Sequence, residues 1–167
     1  MPFTHPPLGF RFSLRGRCTA HRSYITHFDF SKDSANIQSN CGAYELLFHD
    51  ATSGKQEPSG ASKLKDAEWA TWTCVLGWPV QGIWPAFADG TDINAVDRSP
   101  SKRFLALSDD NGKIKVFNYP VVTPGATFKS FDGHSSHVTN VRFTPAENYV
   151  FSTGGNDRAV FQWCVEG

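Results

Sequence analysis

The chain carries the same eleven-residue pattern twice. HRSYITHFDFS begins at His21 and HSSHVTNVRFT begins at His134, and the two stretches share histidine, serine, threonine and phenylalanine at four positions without a gap. A serine follows each histidine 18 residues later, at Ser39 and at Ser152, before a glycine-containing turn and a further apolar stretch. A short recurring unit cannot bury its apolar face alone and has to pack against further copies of itself. The pattern therefore restricts this chain to a repetitive architecture.

The units are predicted to consist of β-strands. Phe, Val, Trp and Thr recur in short runs bounded by Gly, Pro, Asn and Asp, and no stretch shows the period of a helix. The stretch that begins at Asp92 contains a clear hairpin around Asn111 and Gly112, a pair that is typical of a type I′ turn with two positive φ angles. We interpret this stretch as a third unit, with Asp92 near the histidine position, Ser108 at the serine position and Tyr119 near a later aromatic position.

A repeat of roughly 40 to 45 residues with about four strands, Gly-His before the first strand and Trp near the end of the third is typical of a WD-repeat β-propeller blade. The last unit has all of these features. Four of its side chains are expected to form one buried hydrogen-bond chain, and leaving any of these polar groups unpaired would cost about 1 to 3 kcal/mol. This predicted structural tetrad is His134, Ser152, Asp157 and Trp163.

The first unit is predicted to hold a degenerate tetrad. It retains His21 and Ser39, but Ala43 lies where the turn aspartate is expected and His49 lies where the tryptophan is expected. Its hydrogen-bond network is therefore expected to be incomplete.

The sequence predicts an all-β fold, a partial WD-repeat β-propeller of about three four-stranded antiparallel blades with an incomplete last blade. Three blades cannot close a ring, so the chain is expected to be either a fragment of a longer propeller protein or a short isoform. The predicted segments are an unstructured stretch at 1–9, an outer strand at 10–18 and the first blade within 10–80 with a loop at 51–68, a second blade at 81–123, and a third blade at 124–167 that lacks its fourth strand.

Composition and motifs exclude several classes of function. Sixteen basic and 16 acidic residues balance, which indicates neither a nucleic acid nor an anionic membrane as partner. The four cysteines form no C-x-x-C pair, and the Cys18-x-x-His21 pair has no second pair at finger spacing, so no metal and no cofactor are predicted. No G-x-S-x-G motif and no phosphate-binding glycine loop occurs, so no enzyme is predicted.

The stretches GHSSHVTNVRF, STGGNDRAVFQW, WTCVLGWPVQGIWP and DGTDINAV resemble the C-terminal blades of the second β-propeller in the echinoderm microtubule-associated protein-like family. The resemblance covers roughly residues 16–167. It implies a non-catalytic cytoplasmic module that interacts with tubulin, microtubules or other cytoskeletal proteins. A chain without the family's coiled coil and basic region is expected to bind tubulin weakly or not at all. The alternative is a generic WD-repeat scaffold or substrate-recruiting adaptor with no cytoskeletal role.

A partner is expected to meet the loops that precede the first strand of each blade. The residues predicted for this contact are Arg22, Tyr24, Ser136 and His137. Four tryptophans lie between residues 69 and 84, and at least three of them are predicted to fill the space between adjacent sheets.

Overall fold

The computed structural model describes residues 13–85, 87–89 and 92–166. The predicted unstructured stretch at 1–9 lies outside these residues, and residues 13–18 of the predicted outer strand are in no strand. The described elements are β1 Ile25–Phe30, β2 Asn36–Cys41, β3 Leu46–Asp50, α1 Gly60–Lys63, a 3-10 helix Trp78–Ile83, β4 Ile93–Arg98, β5 Phe104–Asp109, β6 Lys113–Asn118, β7 Phe128–Asp132, β8 Val138–Phe143, β9 Tyr149–Gly154 and β10 Val160–Cys164. None of the helices in these ranges is long and apolar enough to cross a membrane.

The strands form three antiparallel sheets in chain order. The first sheet is β1-β2-β3, the second is β4-β5-β6-β7 and the third is β8-β9-β10. The prediction of an all-β partial propeller with an incomplete last blade is confirmed. The first blade differs from the prediction, because its sheet has three strands within the described residues rather than four.

The first strand of each sheet, which we call its inner strand, carries the same irregularity. The register shifts immediately after the first residue of β1, β4 and β8, between Ile25 and His27, Ile93 and Ala95, and Val138 and Asn140. A bulge places two residues opposite one and re-aims the side chains beyond it. Ile25, Ile93 and Val138 are therefore equivalent positions from which the three blades can be compared residue by residue.

The second sheet packs an apolar face against each of its two neighbours. Side chains alternate along a strand, so successive residues of β5 enter different cores. Leu105 and Leu107 of β5 pack in the core between the first and second sheets. Ala106, between them in sequence, packs in the core between the second and third sheets, with Val138 and Val141 of β8. The small side chain at 106 leaves room for β8 to lie against β4 and β5.

A tryptophan-rich segment fills the space between the first and second sheets. Trp69 and Trp72 are buried at 6% and 4% exposure. Trp84 is half-buried against the same core and donates its indole N–H to the Val75 carbonyl at 3.1 Å, whereas Trp78 is 65% exposed. The segment belongs to none of the three sheets, and Trp69 makes an isolated bridge to Ser31, directly after β1.

Asp29 of β1 anchors this segment to the first sheet. Its carboxylate is 1% exposed and accepts hydrogen bonds from the Thr71 hydroxyl at 2.6 Å and from the backbone N–H groups of Thr73 and Cys74 at 2.9 and 3.1 Å. Burial alone would raise the pKa of Asp29, but these hydrogen bonds and one from Gln38 lower it. The ionised carboxylate is thus well solvated by the protein.

Asp97 of β4 occupies the equivalent position and has a poorer environment. Its carboxylate is 8% exposed and accepts a 2.7 Å hydrogen bond from the backbone N–H of Phe143 in the third sheet. Burial raises the pKa of Asp97 to about 6, against the opposing effects of that hydrogen bond and of the Arg142 charge. One backbone donor does not replace the water that the carboxylate loses.

Two further predictions differ from the structure. Strand β7, Phe128–Asp132, is the fourth strand of the second sheet, so that sheet extends beyond the predicted boundary at 123. The hairpin between β5 and β6 has a three-residue loop in which Gly112 has a φ of 75° and Asn111 is not among the positive-φ residues, so it is not a type I′ turn. A carboxylate oxygen of Asp109 accepts the N–H groups of Asn111 and Lys113 and shapes this loop.

We expect Asp97→Asn to stabilise the protein at neutral pH. The pKa of Asp97 is about 6 in the folded chain and 3.8 by reference, so ionisation opposes folding. The parent chain loses stability as the pH rises from the reference value through about 6, because the buried carboxyl then has to ionise, and the asparagine variant does not. The variant should therefore gain about 1 to 3 kcal/mol over the parent near pH 7 and close to nothing near pH 4, in denaturant unfolding followed by tryptophan fluorescence. Asp110→Asn on the surface is the control, and a gain independent of pH would contradict this account.

Candidate functional site

The third sheet contains a complete hydrogen-bond chain at the predicted tetrad. His134 Nδ1 lies 2.7 Å from a carboxylate oxygen of Asp157, and His134 Nε2 lies 2.8 Å from the Ser152 hydroxyl. The Trp163 indole N–H donates to the same hydroxyl at 2.9 Å. Burial tends to raise the pKa of Asp157, but the hydrogen bond from His134 lowers it. The chain ties the loop before β8 to the turn between β9 and β10.

The first sheet forms only half of this chain. His21 Nε2 lies 2.8 Å from the Ser39 hydroxyl, as in the third sheet. The acidic partner is Glu45, whose carboxylate lies 3.6 Å from His21 Nδ1. The sequence comparison does not identify Glu45, because Ala43 lies where the aspartate is expected and Glu45 lies two residues later. The signal that could have found it is that Glu45 is the acidic residue of the turn between β2 and β3.

His49 occupies the tryptophan position of the first sheet, as predicted from the sequence. It pairs with Ile37 across the sheet as Trp163 pairs with Val150. The side chain is 1% exposed, and neither ring nitrogen has a hydrogen-bond partner. Burial lowers the pKa of His49, and the nearby His21 lowers it further. The first sheet therefore buries a neutral imidazole whose polar atoms are unpaired.

The second sheet replaces the tetrad with apolar side chains. Counted from the shared bulge, Leu107 is equivalent to Ser152, and Phe117 opposite Leu105 is equivalent to Trp163. Both are buried, at 1% and 3% exposure.

The prediction for the second sheet is therefore wrong, because it assigned the tetrad positions to Asp92, Ser108 and Tyr119. Ser108 lies one residue past the equivalent position, with its hydroxyl 3.5 Å from the Ala95 carbonyl. The residue four places before Ile93, which corresponds to the histidine, is Asp89 rather than Asp92.

The four residues predicted for a partner lie in loops that precede an inner strand, two before β1 and two before β8. Tyr24 is 74% exposed. Arg22 is also exposed, but its backbone N–H and its Nε both donate to the Glu45 carboxylate. Ser136 and His137 are half-buried and lie 3.1 Å apart, hydroxyl to Nδ1. We call this end of the sheets the loop face.

The loop face also contains residues that the sequence reasoning did not select. Tyr44, in the turn between β2 and β3, is 48% exposed. Partial burial raises its pKa, and so do the charges of Asp89, Asp110 and Asp92 together with the neighbouring Tyr24. The loop face thus combines exposed tyrosines with acidic side chains, rather than the basic character that Arg22 alone suggests.

A second exposed feature lies away from the loop face. An apolar groove runs between the outer strands of the second sheet and β10 of the third, lined among others by Phe128, Phe131, Val150 and Trp163. Phe128 and Phe131 are 49% and 41% exposed.

We expect Asp157→Ala to lower the denaturation midpoint more than Asp110→Ala. Asp157 accepts from His134 and from the backbone N–H of Ala159, whereas the exposed Asp110 accepts a hydrogen bond from Asn94. Removal of Asp157 leaves a buried imidazole nitrogen without a partner. Urea titrations of both variants would test this, and equal losses would show that the hydrogen-bond chain of the third sheet does not contribute.

We expect phenylalanine at the tryptophan position to have opposite effects in two sheets. Trp163→Phe removes the donor to Ser152 and should cost about 1 to 3 kcal/mol. His49→Phe removes two unpaired buried nitrogens and should be neutral or stabilising. Denaturant unfolding in the presence of a chelator would measure both, and a loss at His49 as large as that at Trp163 would contradict the assignment of unpaired atoms.

Residues 7–165 match the family model of the second β-propeller of echinoderm microtubule-associated protein. The crystal structure of the computationally designed Ika4 protein aligns with a TM-score of 0.53 at 18% identity, over 93% of this chain and 100% of that chain, which supports the fold alone.

Three relatives illustrate the similarity in sequence. The chain is 52% identical to the 77 kDa echinoderm microtubule-associated protein of Lytechinus variegatus, over 94% of this chain and 24% of that protein. It is 48% identical to echinoderm microtubule-associated protein-like 4 of Xenopus tropicalis, over 93% and 17% of the two chains. It is 46% identical to echinoderm microtubule-associated protein-like 3 of Homo sapiens, over 95% and 18%.

The chain therefore spans about a quarter or less of the length of these curated relatives. The resemblance inferred from the sequence is confirmed, since the family model matches nearly the whole chain. The chain belongs to the echinoderm microtubule-associated protein family, and its three sheets form part of the second β-propeller of that family.

Proposed function

We propose that this chain is a non-catalytic module that contacts tubulin or microtubules, or another cytoskeletal protein, in the cytoplasm. The observation that carries the proposal is membership of a family whose members are named as microtubule-associated, at identities of 46% to 52%. The loop face supplies the contact, with the predicted residues Arg22, Tyr24, Ser136 and His137.

Tyr24 is the best anchor on this face. It is 74% exposed, and its ring lies so close to Gly42 that a Cβ at that glycine would be 2.6 Å from the ring. The ring is therefore held against backbone before any partner arrives. A large exposed side chain that is already ordered loses little conformational freedom on binding, and tyrosine is enriched among residues that dominate interfaces.

The charges of the loop face support a weak and salt-dependent contact. Arg22 is paired with Glu45, and Asp89, Asp92 and Asp110 lie close enough to Tyr44 to raise its pKa. Mixed charge of this kind steers an encounter more than it increases affinity. Most of each relative lies outside the matched region, so the matched residues supply only part of the contacts and of the avidity that several linked sites can give.

Co-sedimentation with stabilised microtubules and pull-down of tubulin dimers would test the proposal. We expect weak binding that is strongest at low ionic strength, and we expect Tyr24→Ser to reduce it several-fold. Tyr149→Ser is the matched control, because Tyr149 begins β9 at the opposite end of its sheet. Arg22→Gln should weaken binding at low salt, whereas Lys129→Gln on the exposed strand β7 should not.

Two outcomes would contradict this proposal. Tight binding that is insensitive to salt and unchanged by Tyr24→Ser would exclude the loop face. No binding at low salt in either assay would exclude tubulin as a partner and would favour the alternative of a general scaffold or adaptor.

A further inference from the structure

Three side chains of different chemistry converge at the incomplete tetrad of the first sheet. Nδ1 of His21, Sγ of Cys41 and a carboxylate oxygen of Glu45 all lie within 4.8 Å of one another. His21 lies in the loop before β1, Cys41 ends β2, and Glu45 lies in the turn before β3. The sequence pairs His21 with Cys18 by spacing, but the fold leaves Cys18 exposed and brings Cys41 to the histidine instead.

The two distances from Glu45 to the other members of this cluster match those of a metal site. His21 Nδ1 lies 3.6 Å from Oε2 of Glu45, and Cys41 Sγ lies 3.4 Å from the same oxygen. Tetrahedral Zn²⁺ has bonds of about 2.0 to 2.3 Å, which places neighbouring donor atoms roughly 3.3 to 3.8 Å apart. Both distances from Glu45 fall in that range.

His21 is already oriented for coordination. Its side chain is 3% exposed, and Nδ1 is buried without a hydrogen-bond partner. Nε2 lies 2.8 Å from the Ser39 hydroxyl, so when Nε2 carries the proton it donates to Ser39 and the lone pair of Nδ1 faces Cys41 and Glu45. An outer hydrogen bond that fixes the tautomer and the ring orientation is a regular feature of metal-bound histidine.

We propose that His21, Cys41 and Glu45 form a binding site for Zn²⁺, with water in the fourth tetrahedral position. An imidazole nitrogen, a thiolate and a carboxylate are the donors that Zn²⁺ takes, whereas Mg²⁺ and Ca²⁺ require oxygen donors. Glu45 supplies a carboxylate, which the backbone N–H and the Nε of Arg22 hold in place. Binding releases the thiol proton of Cys41.

The metal would join the same two segments that the third sheet joins by a hydrogen bond. The 2.7 Å contact between His134 and Asp157 links the loop before β8 to the turn between β9 and β10. The corresponding atoms of His21 and Glu45 in the first sheet are 3.6 Å apart. Zn²⁺ bound between His21 and Glu45 would tie the loop before β1 to the turn between β2 and β3. A ligand that binds only the folded chain stabilises it by mass action.

The experiment uses the full 167-residue chain after removal of metal with a chelator. Zn²⁺ is titrated in competition with a chromophoric chelator, and Co²⁺ is used as the spectroscopic probe. We expect one equivalent of metal, a thiolate-to-Co²⁺ charge-transfer band, and a rise in Tm with added Zn²⁺. Cys41→Ser and Glu45→Gln should each weaken binding by more than about tenfold.

Two controls separate the site from general effects. The double variant Cys18→Ser, Cys164→Ser removes the two exposed thiols and should bind as the parent does. Arg22→Gln removes a cation beside Glu45 from a side chain that is 81% exposed, so it does not threaten folding and should tighten binding. Absence of the charge-transfer band in the parent chain, or binding that is lost with Cys18 and Cys164 and kept without Cys41, would overturn the proposal.

Discussion

Each sheet of this partial propeller has to bury two apolar faces, and the remainder of the structure depends on that constraint. Along β5, Leu105 and Leu107 point to the tryptophan-rich core and Ala106 points to the third sheet. The first sheet shows the consequence where no neighbour is described, because Phe28 and Phe30 of β1 are 56% and 41% exposed. Stacking of the sheets fixes where each loop and each buried polar group lies.

Buried polar groups at one blade position are accommodated in three ways. The third sheet pairs them all, through His134, Ser152 and their partners. The second sheet removes them, with Leu107 and Phe117 in place of serine and tryptophan. Both arrangements are stable for the same reason, since the cost arises when a buried polar atom loses its partner and not when both partners are replaced. The first sheet keeps part of the polar set, and its unpaired His21 nitrogen follows from that.

The inner strands show that the environment, more than residue type, sets the chemistry of a buried group. Asp29 and Asp97 occupy equivalent positions four residues after Ile25 and Ile93. Several hydrogen-bond donors lower the pKa of Asp29. At Asp97 burial raises the pKa, because it outweighs the single close N–H. The sequence does not show this difference, because Thr71 and Thr73, which donate to Asp29, lie more than 40 positions away.

The sequence by itself determined the repeat, the strand class and the residues of the third-sheet tetrad, because these signals are local and periodic. Only the tertiary structure decided the register of the second sheet, where Leu107 and not Ser108 takes the serine position. The second unit has no histidine from which to count, and a slip of one residue moves every side chain to the other face of a strand. The tertiary structure also decided that Glu45 and Cys41 meet His21, since turn lengths and packing set distances between segments that are far apart in the chain.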